Sequence, residues 1–169
     1  MTDKSLRALK ANGYGKNFEK HIKMACFYYE QEGLAHISKV DEPFRVIRLQ
    51  GGGRFVGQFT GAANPDFEGT LKGGRSICFE AKRTQSDRLN ANVISDKQYE
   101  ILEAKYRLGG LVGVCAEIKD RFYFIPWEVF RDMKARFGRK YVKHEDIKDY
   151  QIPFRKGPMF LTNIGRDDG

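Results

Sequence analysis

The chain has 169 residues, 41% hydrophobic and 13% aromatic, which fits one globular domain with a buried core rather than a disordered chain. Lys and Arg outnumber Asp and Glu by 30 to 22, and the net charge of +8 favours a polyanionic partner, most commonly nucleic acid. No apolar run approaches the ~18 residues of a membrane span and none follows the first residues, so a cytoplasmic protein without signal peptide or membrane partner is expected.

Residues 1–14 carry Lys4, Arg7 and Lys10 and close on Asn12-Gly13-Tyr14-Gly15, the composition of a flexible basic arm that can lie on phosphates. A plain disordered terminus is the alternative reading. Over residues 16–32, Phe18, Ile22, Ala25, Cys26 and Tyr29 recur at helical spacing, and Gly33 supplies the stop. Lys16, Lys20 and Lys23 give that helix a basic flank. Glu19 sits at the border of its buried face, where it is either an ordinary surface residue or a carboxylate aimed inward.

Residues 35–40 alternate as a first strand, and residues 44–49 form a second after Asp41-Glu42-Pro43. Gly51-Gly52-Gly53 then break the pattern. The stretch of about 50–64 is too polar for a core and reads as a protruding hairpin that carries Arg54 and Phe59 to a partner. In residues 76–82, Ile77, Phe79 and Ala81 face one side of a strand and Cys78, Glu80 and Lys82 the other. The preceding Lys72-Gly73-Gly74-Arg75 lacks the Lys-Ser/Thr ending and helix of a phosphate-binding loop and reads as a tight turn with two exposed cations.

Ser95 and Gln98 fit the capping box of a second helix that buries Tyr99, Leu102 and Tyr106 and ends at Gly109-Gly110. Residues 111–118 are the near-continuous apolar run of a central strand, with a turn at Lys119-Asp120 and a hairpin partner at 121–126. Residues 127–137 have helical spacing, and Arg131, Lys134, Arg136, Arg139, Lys140 and Lys143 extend the basic surface. A flexible tail is expected over 160–169. Cys26, Cys78 and Cys115 are odd in number and far apart, as reduced core residues are; His21, His36 and His144 are also scattered, which argues against zinc. The whole reads as a single domain, an α/β sandwich around a mixed sheet with Asp66 and Glu80 on central strands.

Asp66 and Glu80 are two carboxylates that can converge on a hard divalent cation, and Lys82 beside them can orient a water or stabilise negative charge. A Glu-x-Lys pair is also common on a solvated strand face. Pro65-Asp66 followed by Glu80-Ala81-Lys82 is the pattern of the PD-(D/E)xK nucleases. Further stretches occur with it in order: Gly15-Lys16-Asn17-Phe18-Glu19, Ile37-Ser38-Lys39-Val40, Asp66-Phe67-Glu68-Gly69, Phe79-Glu80-Ala81-Lys82, and Gln98 with Leu102. Together, over roughly 13–126, they resemble the RecU-type Holliday-junction resolvases of that superfamily.

The resemblance implies a restriction-endonuclease-like fold with a protruding stalk. It further implies a homodimer that cuts branched DNA, the four-way junction, by paired symmetric nicks during recombination and repair, together with recombination proteins. It makes Asp66, Glu80 and the Ala81 carbonyl ligands of Mg²⁺, with Mn²⁺ as a substitute, and Lys82 the aid to the attacking water. Glu19 and Gln98 complete or support that site. Lys16, Lys39, Arg54, Phe59, Lys72 and Arg75 become DNA contacts. Pro65 stands where the family has a hydroxyl residue, the Gly73-Gly74 loop is one residue longer, and the compact form suits a phage or prophage member. The alternatives are a related nuclease with another DNA target and a non-catalytic junction-binding accessory protein.

Overall fold

The computed structural model describes residues 3–59, 61 and 64–163, and for residues 3–16 the backbone alone. The first helix, α1 (Asp3–Gln31), starts well before residue 16, so the stretch expected as a basic arm belongs from Asp3 onward to helical backbone. Ser5-Leu6-Arg7-Ala8-Leu9-Lys10-Ala11 is rich in strong helix formers, which outweigh the ~1 kcal/mol that Gly13 and Gly15 each cost. The stripe Phe18, Ile22, Ala25, Cys26 and Tyr29 is buried as its spacing requires.

The chain continues through β1 (Ala35–Lys39), β2 (Phe44–Gln50), β3 (Arg54–Phe59), β4 (Phe67–Leu71), β5 (Ser76–Thr84) and β6 (Arg88–Asn90). After these come α2 (Asp96–Arg107), β7 (Leu111–Ile118), β8 (Arg121–Pro126), α3 (Trp127–Arg131) and α4 (Met133–Phe137). The described chain closes with β9 (Tyr141–Lys143), α5 (His144–Ile147) and β10 (Gln151–Ile152). Six strands form one sheet in the order β1-β4-β5-β7-β8-β10. The β5–β7 pair is parallel and its other pairings are antiparallel, the mixed α/β architecture the pattern called for.

Alternation along β5 divides the core. Ile77 and Phe79 pack under α1 with Phe67, Cys115 and Phe124, while Cys78 joins Leu102, Val112, Val114 and Ala116 under α2 to α5. Glu80 and Lys82 share the α2 face with Cys78. All three cysteines are buried, and burial pushes the Cys26 and Cys78 thiols up to about 12.

Three expectations need correction. The strand at 44–49 does not join the main sheet: β2 pairs only with β3, and every residue of β2 is exposed. The two-stranded ribbon therefore runs from Phe44 to Phe59, against the excursion expected at about 50–64. Alternating Arg45, Arg48 and Arg54 with apolar residues leaves neither face of this ribbon dry enough to bury, and Gly52 and Gly53 turn it at positive φ. Thr60, Ala62 and Ala63 of the same segment lie outside the described residues.

The helix expected over 127–137 is two short ones broken at Asp132. There the Arg131 guanidinium turns to both oxygens of Asp132, at 2.9 Å each, and to Glu103 of α2. The tail expected from 160 is anchored at its start. Phe160 is fully buried, meets the rings of Phe79 at 4.9 Å and Tyr29 at 5.0 Å, and Leu161 N–H donates to Tyr29 Oη at 3.0 Å. Residues 164–169 lie outside the described residues.

Candidate active site

Strand register creates the site. Phe67 of β4 faces Phe79 of β5, so one step further along the antiparallel pair Asp66 stands against Glu80. Across the parallel pair, Lys82 is level with Ala116 of β7. The Ala81 N–H donates to Asp66 Oδ2 at 2.9 Å, and the Asp66 carbonyl accepts from Val40 N–H at 2.9 Å. Asp66 is thus fixed on both sides while lying in a loop.

Glu80 is held differently. Its Oε2 accepts from Gln98 Nε2 at 2.7 Å and pairs with Lys82 Nζ at 3.0 Å. Its Oε1 is buried and without a hydrogen-bond partner among the described residues. Burial is the main influence on this carboxyl and the Asp66 charge adds to it; against the opposing pull of Lys82, they push it up to about 7. An unpartnered carboxylate oxygen beside a second carboxylate is a donor set that a hard divalent cation satisfies. Among the described residues no group of three His, Cys, Asp or Glu gathers around one point, so protein carboxylates would supply two ligands.

Gln98 serves twice. Its Oε1 accepts from Ser95 N–H at 3.0 Å and its own N–H donates to Ser95 Oγ at 3.3 Å, completing the capping box of α2, while its amide nitrogen faces Glu80. Gln98 thus both caps α2 and donates to Glu80. Gln98→Glu would keep the box and replace a donor to Glu80 by a like charge. It is expected to lower stability by about 2 kcal/mol at pH 8, with a much smaller loss at pH 5 where Glu80 is protonated, measured by thermal unfolding.

Glu19 reaches the neighbourhood but not the carboxylate pair. It bonds Lys39 Nζ on β1, level with Phe67. Lys39, expected as a DNA contact, is therefore half-buried in an ion pair beside the strand that carries Asp66. Arg75 is drawn back to the end of α2, where its Nε donates to Gly109 O at 3.0 Å, whereas Lys72 stays exposed on the turn. Arg54 and Phe59 are exposed on the β2–β3 ribbon, Phe59 against the Phe44 ring at 5.0 Å. Lys16 lies in α1 with its side chain outside the described part.

A second tie escapes a reading of the sequence alone. Lys105 Nζ pairs with Glu68 Oε1 at 2.8 Å, and Glu68 is opposite Cys78. Helix α2 thus crosses the sheet face with Gln98 on Glu80 and Lys105, two turns on, at Glu68. The spacing 98, 102, 105 marks one helix face, but nothing local indicates what it meets.

Comparison with known proteins adds lineage to this geometry. A family model described as "Recombination protein U" matches residues 13–162. The Holliday junction resolvase RecU of Staphylococcus saprophyticus is 28% identical over 159 residues, covering 86% of this chain and 76% of that protein. Among solved structures, Hjc, a Holliday junction resolvase of Archaeoglobus fulgidus, aligns with a TM-score of 0.49 and 14% identity over 80% of this chain and 88% of its own.

Proposed function

This chain belongs to the Recombination protein U family, and on that premise we propose that it is a divalent-cation-dependent endodeoxyribonuclease that resolves four-way DNA junctions with Asp66, Glu80, Lys82 and Gln98. The observation that carries the reading is the buried, unpartnered Oε1 of Glu80 set against Asp66, with the Lys82 ammonium 3.0 Å from the other oxygen. Asp66, Glu80 and the Ala81 carbonyl would hold Mg²⁺, for which Mn²⁺ can substitute. A divalent cation bound there supplies Lewis acidity and neutralises charge on the phosphate.

The chain's own groups do the rest. Lys82 is partly exposed, so its ammonium can meet both the attacking water and the negative charge that builds on the phosphate oxygens. Gln98 keeps Glu80 in one orientation, and Ala81 N–H does so for Asp66. Glu19, tethered by Lys39, supports the site from the β1 side. Lys72, Arg75 and Lys16 serve as phosphate contacts, and the stalk presents Arg54 and Phe59 to the branch point. Two opposed nicks on a nearly two-fold-symmetric junction call for two sites, which a C₂ homodimer presents.

The test is cleavage of a mobile four-way junction and of linear duplex in Mg²⁺ by wild type, Asp66→Ala and Lys82→Ala. Paired symmetric nicks made by the wild type and lost in both variants, with junction binding retained, are expected. Binding by the wild type without nicking would replace the reading with an accessory protein. Equal cutting of linear duplex would keep the nuclease and remove the junction as its target.

A further inference from the structure

Beyond the carboxylate site, on the same sheet face, a depression of about 360 Å³ opens between the β7–β8 turn and the β9–α5 corner. Lys82, Ala116 and Tyr123 lie on one rung across β5, β7 and β8. Tyr123 is therefore two strands, or about 10 Å, from Lys82. Ile118, which also lines the depression, pairs with Thr84 two residues beyond Lys82, about 7 Å along the strand. Phosphates of one DNA strand advance about 3.4 Å each along the duplex axis, so the depression lies within a few phosphates of the carboxylate site.

Its lining is built for an anion. Lys119 and Arg121 reach it from the hairpin turn and Lys143 and His144 from the opposite wall. The Tyr123 hydroxyl ties the walls together: it is 2.8 Å from His144 Nδ1. Asp87 and Glu145 also line the rim and Asp87 pairs with Lys143 at 3.1 Å, so Lys119 and Arg121 face one remaining carboxylate and the lining keeps one positive charge in excess.

The geometry points to a subsite for a backbone phosphate of the strand that passes through the carboxylate site, held by Lys119 and Arg121 with His144 and Lys143 in support. This rests on the nuclease reading and names residues that would fix the register of the scissile strand. The carboxylate site engages only the reacting phosphate, through the cation it would hold; a second grip at Arg121, about 10 Å across and about 7 Å along the sheet from Lys82, would stop the strand sliding.

Lys119 occupies the left-handed region at φ 47°, which asparagine tolerates well, so Lys119→Asn with Arg121→Gln removes two charges and leaves the turn intact. Junction binding is measured in EDTA over a salt series, using junctions with a neutral methylphosphonate at each phosphate near the nick in turn. The double variant is expected to bind about tenfold more weakly, with a salt slope shallower by about one for each phosphate it no longer neutralises. At one position, neutralisation should weaken the wild type and leave the variant unchanged. Equal losses at every position in both proteins, or an unaltered salt slope, would overturn the subsite. A wild type that neither binds nor nicks junctions would instead remove the nuclease reading, so the two failures are distinguishable.

Discussion

Glu80→Gln is expected to reduce junction cleavage by about a thousandfold or more, and at the same time to make the protein more stable at pH 8. Both effects have one origin. Glu80 is fully buried, faces Asp66 across the strand pair, and has one oxygen with no partner among the described residues. A carboxylate in that position is costly to the fold and useful to a cation. The amide is close to isosteric, keeps an acceptor for Gln98, and carries no charge into the site.

The stability effect has a definite pH dependence. The Glu80 carboxyl is pushed up from an ordinary 4.5 to about 7 in the folded chain, mainly by burial and then by Asp66. Between those values the unfolded chain has released the proton and the folded chain has not, so wild-type stability falls as pH rises through the window. The full loss, on the order of 3 kcal/mol, is reached above pH 7. Below about pH 4.5 residue 80 is neutral in both proteins and the difference closes. Thermal unfolding of wild type and variant at pH 5 and pH 8 measures it. Millimolar Mg²⁺ should raise the wild-type midpoint at pH 8 and leave that of Glu80→Gln in place. A variant less stable than wild type at pH 8 would show that the Lys82 pair outweighs the burial of the charge.

Gly69→Val is expected to cost about 3 kcal/mol or more, a fall in melting temperature of roughly 10 °C. Gly69 sits in β4 between Ile37 of β1 and Ile77 of β5. A Cβ there would run into the carbonyl oxygen of His36 and would lie 2.6 Å from Ile37 Cα. Both are backbone atoms and cannot rotate away, so relief requires β1 to move off β4. That movement would take with it Lys39, which holds Glu19, and Val40, whose N–H holds the Asp66 carbonyl. Cleavage should therefore fall even at temperatures where the variant is folded. Circular dichroism melts together with single-turnover cleavage separate the two losses, and a melt within ~1 kcal/mol of wild type would show that β1 yields more easily than its backbone contacts indicate.

The pairing at the centre of the site was legible in the sequence because strand periodicity is local. Two residues per repeat put Glu80 and Lys82 on one face whatever the rest of the chain does, and the near-continuous apolar run at Leu111–Ile118 marked a central strand. The capping signal at Ser95 and Gln98 and the buried stripe of α1 were local in the same sense. Other features depended on what lay opposite. Whether residues 44–50 join the main sheet is decided by which strand edge is available, and they paired with Arg54–Phe59 alone. Phe160 looks like the start of a polar tail until the space between Tyr29 and Phe79 is formed for it. Glu19 stands at the border of a helix face, but its neighbour Lys39 is 20 residues away and comes within reach only once β1 folds back along α1. The sequence by itself determined which residues share a face, because that is set by backbone repeat. Only the tertiary structure decided which faces meet, because burial, register and charge pairing across the chain depend on partners that no local pattern names.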